Sequence, residues 1–413
     1  MIGTLAIGWR SWRAQWLSKR RLDALRSRLL VDTVNRAARL PFYREMWRGI
    51  DLTGIAGPGD LARLPVISRT DFRHRLDDIV APGYDETNSV VGYTSGSSGA
   101  TMRLLHDPSQ KRYYNAAWIR AHMAYGMAPH HRIAYFRFEP AEAGITDRLG
   151  VFAAHHVPFT TADEVVARLK KIRPQVVGGY PSYFAELISV VPADELRGLG
   201  VRWVYVGAET VSAQLVWQLK RIFQCPVIDI YGSTEFDTMA FQCKHGSRHV
   251  CDDNMVLEIV DESGRPLGPG QVGDIVVTGL RNPAMPLVRY RIGDRGAWSD
   301  ERCACGRHFT VLPRLEGRSL EAIVTSTGSR YPIILLDEDL IHIDTLYQFQ
   351  VVQEAIDRVT LNLVCEPGTE AETVAKSVEA LRAVFDAPME ITPQVVESIP
   401  RGAAGKVKAI VPL

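Results

Sequence analysis

Four short segments, far apart in the chain, carry residue types suited to handling a nucleotide and an acid. Val90-Val91-Gly92 enters Tyr93-Thr94-Ser95-Gly96-Ser97-Ser98-Gly99. Hydroxyls and glycines at this density let backbone N–H groups and side-chain oxygens converge on phosphate oxygens with no Cβ in the way. No Gly-Lys-Ser or Gly-Lys-Thr follows, so the loop is not of Walker type, and read alone it is equally an ordinary turn. Val227-Ile228-Asp229-Ile230 reads as a strand delivering Tyr231, Gly232, Ser233, Thr234 and Glu235 at its carboxyl end, where open α/β sheets bind ligands. Tyr231 can stack on a purine and Glu235 can hold Mg²⁺ against phosphates, the plain alternative being a solvated glutamate at a strand end. Asp294, after Gly293, can accept both hydroxyls of a ribose, although Gly-Asp is also a common turn pair. Near the end, Gly402-Ala403-Ala404-Gly405-Lys406-Val407-Lys408 puts lysine on a glycine-rich arm. Such an arm can bring a compact positive charge to a carboxylate and to developing phosphate charge, while by itself it reads as a frayed basic terminus.

What specifies chemistry is the occurrence of all four in this order. Together with Leu40-Pro41-Phe42-Tyr43-Arg44, Leu64-Pro65-Val66-Ile67-Ser68-Arg69-Thr70-Asp71-Phe72, Gly179-Tyr180-Pro181-Ser182-Tyr183 and Gly207-Ala208-Glu209, they are spread along nearly the whole chain. The sequence resembles the adenylate-forming superfamily of acyl-CoA synthetases, adenylation domains and luciferases, in its phenylacetate-CoA ligase and CapK-like branch. The resemblance implies that Thr94, Ser95, Gly96, Ser97, Ser98 and Gly99 cradle the β- and γ-phosphates of ATP. It further implies that Gly207, Ala208, Glu209 and Tyr231 border the adenine, with Gly232 and Ser233 beside them, and that Asp294 binds the ribose. Thr234 matches the phosphate-contacting hydroxyl, Glu235 the Mg²⁺-associated carboxylate, Arg318 the hinge arginine that touches ribose or phosphate, and Lys406 the lysine that assists adenylation. In-line attack of a carboxylate on the α-phosphate brings two anions together, and Mg²⁺ and Lys406 would neutralise them.

Three departures stand out. Ala100 and Thr101 occupy the places where the family often has lysine and proline, and Leu320 then Glu321 stand where a hinge aspartate is usual. Lys408 is a second candidate lysine; Lys406 is preferred because it directly follows the glycine.

The implied reaction is ATP-dependent activation of a small carboxylic acid to acyl-AMP with release of pyrophosphate, then transfer to a thiol, coenzyme A above all. A carrier-protein pantetheine or an amine are competing acceptors. An amide ligase, an adenylyltransferase that stops at the AMP conjugate and a non-catalytic nucleotide-binding relative are competing readings. The resemblance lines the acid pocket with Tyr135, Phe136, Tyr180, Pro181 and Ser182. An aromatic or other flat acid fits such a lining, although aromatic residues at strand ends are often core. His130, His131, His155 and His156 receive no catalytic role.

Cys243-Lys244-His245-Gly246-Ser247-Arg248-His249-Val250-Cys251 and Cys303-Ala304-Cys305 are two short Cys/His groups on loops. They suit a four-ligand Zn²⁺ site, read as Cys243, His249, Cys303 and Cys305, with His245 or Cys251 as alternates and reduced thiols as the alternative. Four protein ligands leave no open position, so the expected role is structural.

The elements that must position these residues follow from periodicity. Short apolar runs at Val176–Gly179, Trp203–Val206, Val227–Ile230 and Asp274–Thr278 alternate with helical segments, which predicts an α/β fold with largely parallel or mixed sheets. From about Arg318 the pattern becomes Ala322–Thr325, Tyr347–Gln353 and Val359–Cys365 followed by a helix over Glu370–Phe385, a small mobile α+β domain. The expected division is 1–316, binding ATP and acid, and 317–413, carrying the lysine. Trp9, Trp12, Trp16, Leu22, Leu25 and Leu29, set among arginines, read as one basic amphipathic helix that packs on the protein's own body or lies on an anionic membrane or partner.

With 413 residues, 46% apolar and 23% charged, the chain can bury more than one core, and a net charge of +1 argues against nucleic-acid binding. No apolar run is long enough for a membrane span, no cleavage site follows Trp9, and six cysteines are too few for a disulfide scaffold. The cytoplasm is the expected compartment.

Overall fold

The structure, a computed structural model, describes residues 2–94, 102–136, 150–158, 160–402 and 406–413. The chain falls into two compact units, Met1–Gly126 with Tyr231–Leu315, and Met127–Ile230 with Glu316–Leu413. Both are α/β, so the fold class read from the sequence holds.

In the second unit the strands Ala154–Val157, Ile133–Phe136, Val176–Gly179, Trp203–Gly207 and the start of Val227–Ser233 lie side by side in that order, all parallel. Parallel strands covered on both faces need no polar alternation, hence their unbroken apolar runs. Helix Ala162–Ile172 begins where the Thr161 hydroxyl accepts from the Glu164 N–H and carries acids in its first turn and Lys170 and Lys171 in its last, matching the helix dipole. Its Val165, Val166 and Leu169 share one core with Leu215, Leu219 and Ile222 of helix Ala213–Phe223. These are three- and four-residue spacings, one face of each helix.

Residues 317–413 contribute a separate four-stranded sheet, ordered Glu390–Val395, Arg358–Cys365, Leu346–Ala355, Ile410–Val411, with helix Glu370–Val384 and its own core of Val351, Leu361, Leu363 and Leu381. It is tied to helix Ala213–Phe223. The Asp337 carboxylate accepts from the Ala213 and Gln214 N–H groups at the helix start, and Gln218 Nε2 donates to the Asp344 carbonyl at 2.6 Å. Burial pushes the Asp337 carboxyl up to about 6, against the pull of those two N–H groups.

The first unit supplies the antiparallel part of the mixed sheet. Met255–Val260, Gly273–Gly279, Tyr290–Ser299, Val311–Arg318, Arg248–Val250 and Asp237–Gln242 are neighbours in that order, and the described pairings are antiparallel. Only residues 243–247 join Gln242 to Arg248, too few for the crossover that a parallel pair requires.

The N-terminal amphipathic segment is two helices, Ile2–Ala14 and Lys19–Ala37, because the chain extends at Ser18 and restarts. The apolar stripe divides accordingly: Leu22 is buried and Leu25 and Leu29 are half-buried, whereas Trp9 and Trp16 are 60% and 46% exposed. Ile2–Ala14 packs on helix Pro108–Met123, whose start is capped by Asp107 accepting from the Ser109 and Gln110 N–H groups. Beneath that contact, the wholly buried Arg120 guanidinium donates to Asp253 at 2.8 and 3.1 Å and to the Ser11 carbonyl at 2.8 Å, and the Tyr113 hydroxyl also donates to Asp253. No helix among the described residues is long and apolar enough to cross a membrane.

Candidate active site

The first unit assembles three of the four motifs. Val90–Tyr93 pairs antiparallel with Arg103–His106, and Thr94 closes the hairpin: its N–H donates to the Met102 carbonyl and its Oγ1 accepts from the Met102 N–H, both at 3.0 Å. Ser95, Gly96, Ser97, Ser98 and Gly99 lie outside the described residues. A Cβ on Gly92 would stand 3.5 Å from both Thr234 Cγ2 and His106 Nε2, so the strand feeding the loop runs beside the threonine of the second motif. Burial, helped by Lys111, holds His106 below the ordinary histidine range.

The strand of the second motif does not end at Ile230 but continues through Ser233. Gly232 has to be glycine there, because a Cβ would lie 2.4 Å from the Asp237 carbonyl oxygen. The Tyr231 hydroxyl donates to Asp294 Oδ2 at 2.7 Å, joining the second motif to the third. Thr234 is exposed and Glu235 half-buried, where Glu235 Oε1 accepts from the Tyr290 hydroxyl at 3.3 Å. Tyr290 is a site residue that sequence reasoning missed. Its signal was the strand period: Tyr290, Ile292 and Asp294 occupy alternate, buried positions and so share one face.

In the second unit Trp203–Gly207 leads into Ala208, which has φ +67°, and Glu209. A Cβ on Gly207 would meet the Ile230 carbonyl oxygen at 2.7 Å. Glu209, expected beside the adenine, spends its carboxylate on the protein: it accepts from the Ser182 N–H and hydroxyl, each at 2.9 Å, and from the Val407 N–H at 3.0 Å. The cause is local. Helix Pro181–Val190 starts from Tyr180, which makes no side-chain capping bond, so the N–H of Ser182 takes a carboxylate from elsewhere. Ser182, expected to line the acid pocket, is thereby buried in this linkage.

Burial pushes the Glu209 carboxyl up while its bonds to Ser182 and Val407 pull it back. Arg401 completes the arrangement, donating to Ser182 Oγ and to Glu186 Oε2, each at 2.6 Å, with its guanidinium 4.0 Å from the Tyr183 ring centroid. Lys406 Nζ stands 5.9 Å from the Tyr180 ring centroid. The lysine segment is therefore seated on the 180s helix through its immediate neighbour, Val407.

The remaining expected residues divide. Phe136 is fully buried, edge-on to Phe184 at 5.2 Å, within the core of the second unit. Tyr135 is half-buried over Gly178, where a Cβ would come within 3.0 Å of the ring, and Pro181 is buried at the first helical position. Arg318 ends its strand on the surface. Before it, still within the strand, Gly317 has φ +85°, and a Cβ there would lie 2.8 Å from Thr210 Oγ1, so this position favours glycine on both counts.

Back in the first unit, Cys243 Sγ and Cys303 Sγ are 3.6 Å apart and Cys305 Sγ is 3.3 Å from His249 Nε2. All four ligand atoms lie within 4.8 Å of one another. A disulfide requires about 2.05 Å, whereas sulfurs on a tetrahedral zinc with bonds of about 2.3 Å sit about 3.8 Å apart. The alternates are placed elsewhere: His245 is exposed and Cys251 is buried outside the group.

Comparison with known proteins bears on the family and the fold. Residues 148–282 match the AMP-binding enzyme family and residues 323–412 the CapK C-terminal domain. A phenylacetate-coenzyme A ligase of Thermus thermophilus is 28% identical over 318 residues, covering 71% of this chain and 69% of that protein. Protein CapK of Staphylococcus aureus is 22% identical over 392 residues, covering 88% and 83%. Among solved structures, a 2-hydroxyisobutyryl-CoA ligase in the postadenylation state superposes with a TM-score of 0.83 at 18% identity, over 97% of this chain and 91% of that one. The same ligase in its thioesterification state gives a TM-score of 0.66 over the same shares. The chain belongs to the adenylate-forming superfamily, in its phenylacetate-CoA ligase and CapK-like branch, and is an AMP-forming ligase.

Proposed function

We propose that this ligase condenses ATP with a small, flat carboxylic acid to give the acyl-adenylate and pyrophosphate, and passes the acyl group to the thiol of coenzyme A. The observation that carries the reading is the junction of motifs in the first unit, where Gly92 runs beside Thr234 and Tyr231 is bonded to Asp294. At that junction the Thr234 side chain, through its methyl, lies beside the strand that enters the first motif, and the Tyr231 hydroxyl donates to the Asp294 carboxylate, which supports reading the two as one nucleotide site. In this reading Thr94 and Thr234 orient phosphate oxygens, Asp294 accepts the ribose hydroxyls, and Glu235 holds Mg²⁺, which would shield the triphosphate. Residues 1–316 bind ATP and acid, and the mobile 317–413 domain brings Lys406 to them. Support for a thioester product comes from the CoA-ligase relatives.

Acid-dependent exchange of labelled pyrophosphate into ATP tests the first step. Aryl and short flat acids are expected to drive exchange, and product analysis is expected to yield the CoA thioester. ATP binding with no exchange across a broad acid panel would sink the proposal, and a stable AMP conjugate or an amide would reassign the second step.

Zinc at Cys243, His249, Cys303 and Cys305 is the second part of the proposal. It would act as a clasp between the two loops, its four protein donors leaving no position for substrate. Purified protein is expected to contain one equivalent of zinc, and Cys303→Ser to lose most of it together with several degrees of thermal stability. Metal-free protein of unchanged stability would refute the clasp.

A further inference from the structure

The surface that the ligase reading leaves unused is the outer face of the N-terminal helix pair. The helix Ile2–Ala14 turns its inner side to helix Pro108–Met123 and leaves Trp9, Arg10 and Arg13 exposed; Trp16, in the turn after it, and Lys19, Arg20 and Arg21, at the start of the next helix, are exposed as well. A cleft among Trp9, Trp12, Arg13, Trp16 and Arg21 opens on the same face. Trp9 and Trp16 are 60% and 46% exposed; single exposed apolar residues are ordinary, but here they share a face with a block of charge.

The charge is one-sided. Arg10, Arg13, Lys19, Arg20 and Arg21 precede the first acidic residue of the chain, Asp23, whereas the whole chain carries only +1. Asp23 bridges Lys19 and Arg26, and the supporting helix Pro108–Met123 contains no acidic residue. Arg13 lies over Trp9 at 5.6 Å and Arg307 over Trp16 at 4.6 Å, so the indoles are held among guanidinium groups.

From this we propose that the face is a docking surface for an anionic phospholipid membrane, with Trp9 and Trp16 entering the headgroup layer and the five basic side chains drawn to lipid phosphates. Tryptophan settles at the boundary of apolar and wet layers, and arginine pairs with phosphate. An acidic protein segment or a nucleic acid could meet both the charge and the indoles; the lipid surface is favoured because the basic block and the tryptophans lie along one outer face of a short amphipathic helix pair, the arrangement that settles at a membrane interface. Such contact is peripheral: the helix lies along the interface and does not cross it.

Each basic side chain near an anionic surface is worth about fivefold in partitioning, the indoles adding to it. The intact chain is therefore expected to sediment with vesicles containing about one third phosphatidylglycerol, at least tenfold more than with phosphatidylcholine alone, and to be released near 1 M salt, where the screening length is about 3 Å. Replacing Arg10, Arg13, Arg20 and Arg21 by glutamine is expected to cut partitioning about a hundredfold or more. Trp9→Ala with Trp16→Ala is expected to cut it about tenfold and to abolish quenching by brominated lipid. Unfolding of the arginine variant in urea should match the parent, and the tryptophan variant should keep one cooperative transition close to the parent's midpoint, Trp16 being half covered beneath Arg307. Equal partitioning onto both vesicle types overturns the proposal. So does binding to heparin or an acidic peptide without binding to anionic vesicles, and either result is independent of whether the ligase reading stands.

Discussion

Lys406→Ala is expected to slow acid-dependent pyrophosphate exchange by roughly 10²- to 10³-fold, the loss seen when one preorganised group facing transition-state charge is removed. ATP affinity, measured by calorimetry, is expected to stay nearly unchanged, because a group that acts on charge developing during attack contributes little to ground-state binding. The placement of Lys406 supports a specific control. Val407 donates to Glu209 at 3.0 Å, and Arg401 holds the Ser182 and Glu186 side of the same seat. Glu209→Ala keeps the ammonium but removes its neighbour's anchor, so it should lose a smaller part of the rate, about tenfold. Unchanged exchange in Lys406→Ala would refute the role and turn attention to Lys408.

The second large effect concerns the fold. Asp253→Ala would leave the Arg120 guanidinium buried without its carboxylate, and the expected destabilisation is about 3–5 kcal/mol by urea unfolding. Arg120 also donates to the Ser11 carbonyl, and its guanidinium lies 5.0 Å from the Phe309 ring centroid, so its charge has no route to solvent without unpacking the N-terminal helix. Burial by itself would raise the Asp253 carboxyl, but the facing guanidinium outweighs it and the net direction is downward. The pair's contribution is therefore present above the unfolded carboxylate range near 4 and is lost only as the pH falls through the lower folded value. A double change to apolar residues of similar volume should recover most of the loss, since it removes both charges together. A single change costing under about 1 kcal/mol would show that water reaches Arg120.

Much of the architecture was legible because its signals are local. Val176–Gly179 and Arg358–Cys365 are strands within a residue of where short apolar, β-branched runs put them, and Glu370–Val384 is a helix within a residue of the expected one. The antiparallel half of the first unit was not legible, because strand direction depends on loop length and on which edge is open, neither of which leaves a mark inside a strand. The N-terminal stripe was read as one helix because periodicity carries across Leu17 and Ser18, while the chain there extends.

The sequence by itself determined the class of chemistry. Glycine, hydroxyl, carboxylate and lysine in this order leave little freedom, since each residue type is required by the charge it must meet. Which side chains are spent on the protein was decided only by tertiary structure. Glu209 is taken by Ser182 and Val407, the first 27 residues away in sequence and the second 198, because a helix without a cap needs a carboxylate. Tyr231 finds Asp294 across 63 residues, and Cys243, His249, Cys303 and Cys305 separate from Cys251 and His245 only once their loops are folded together. A hydrogen bond or a metal site is a matter of distances of about 2–4 Å, and residue order constrains such distances only through the fold.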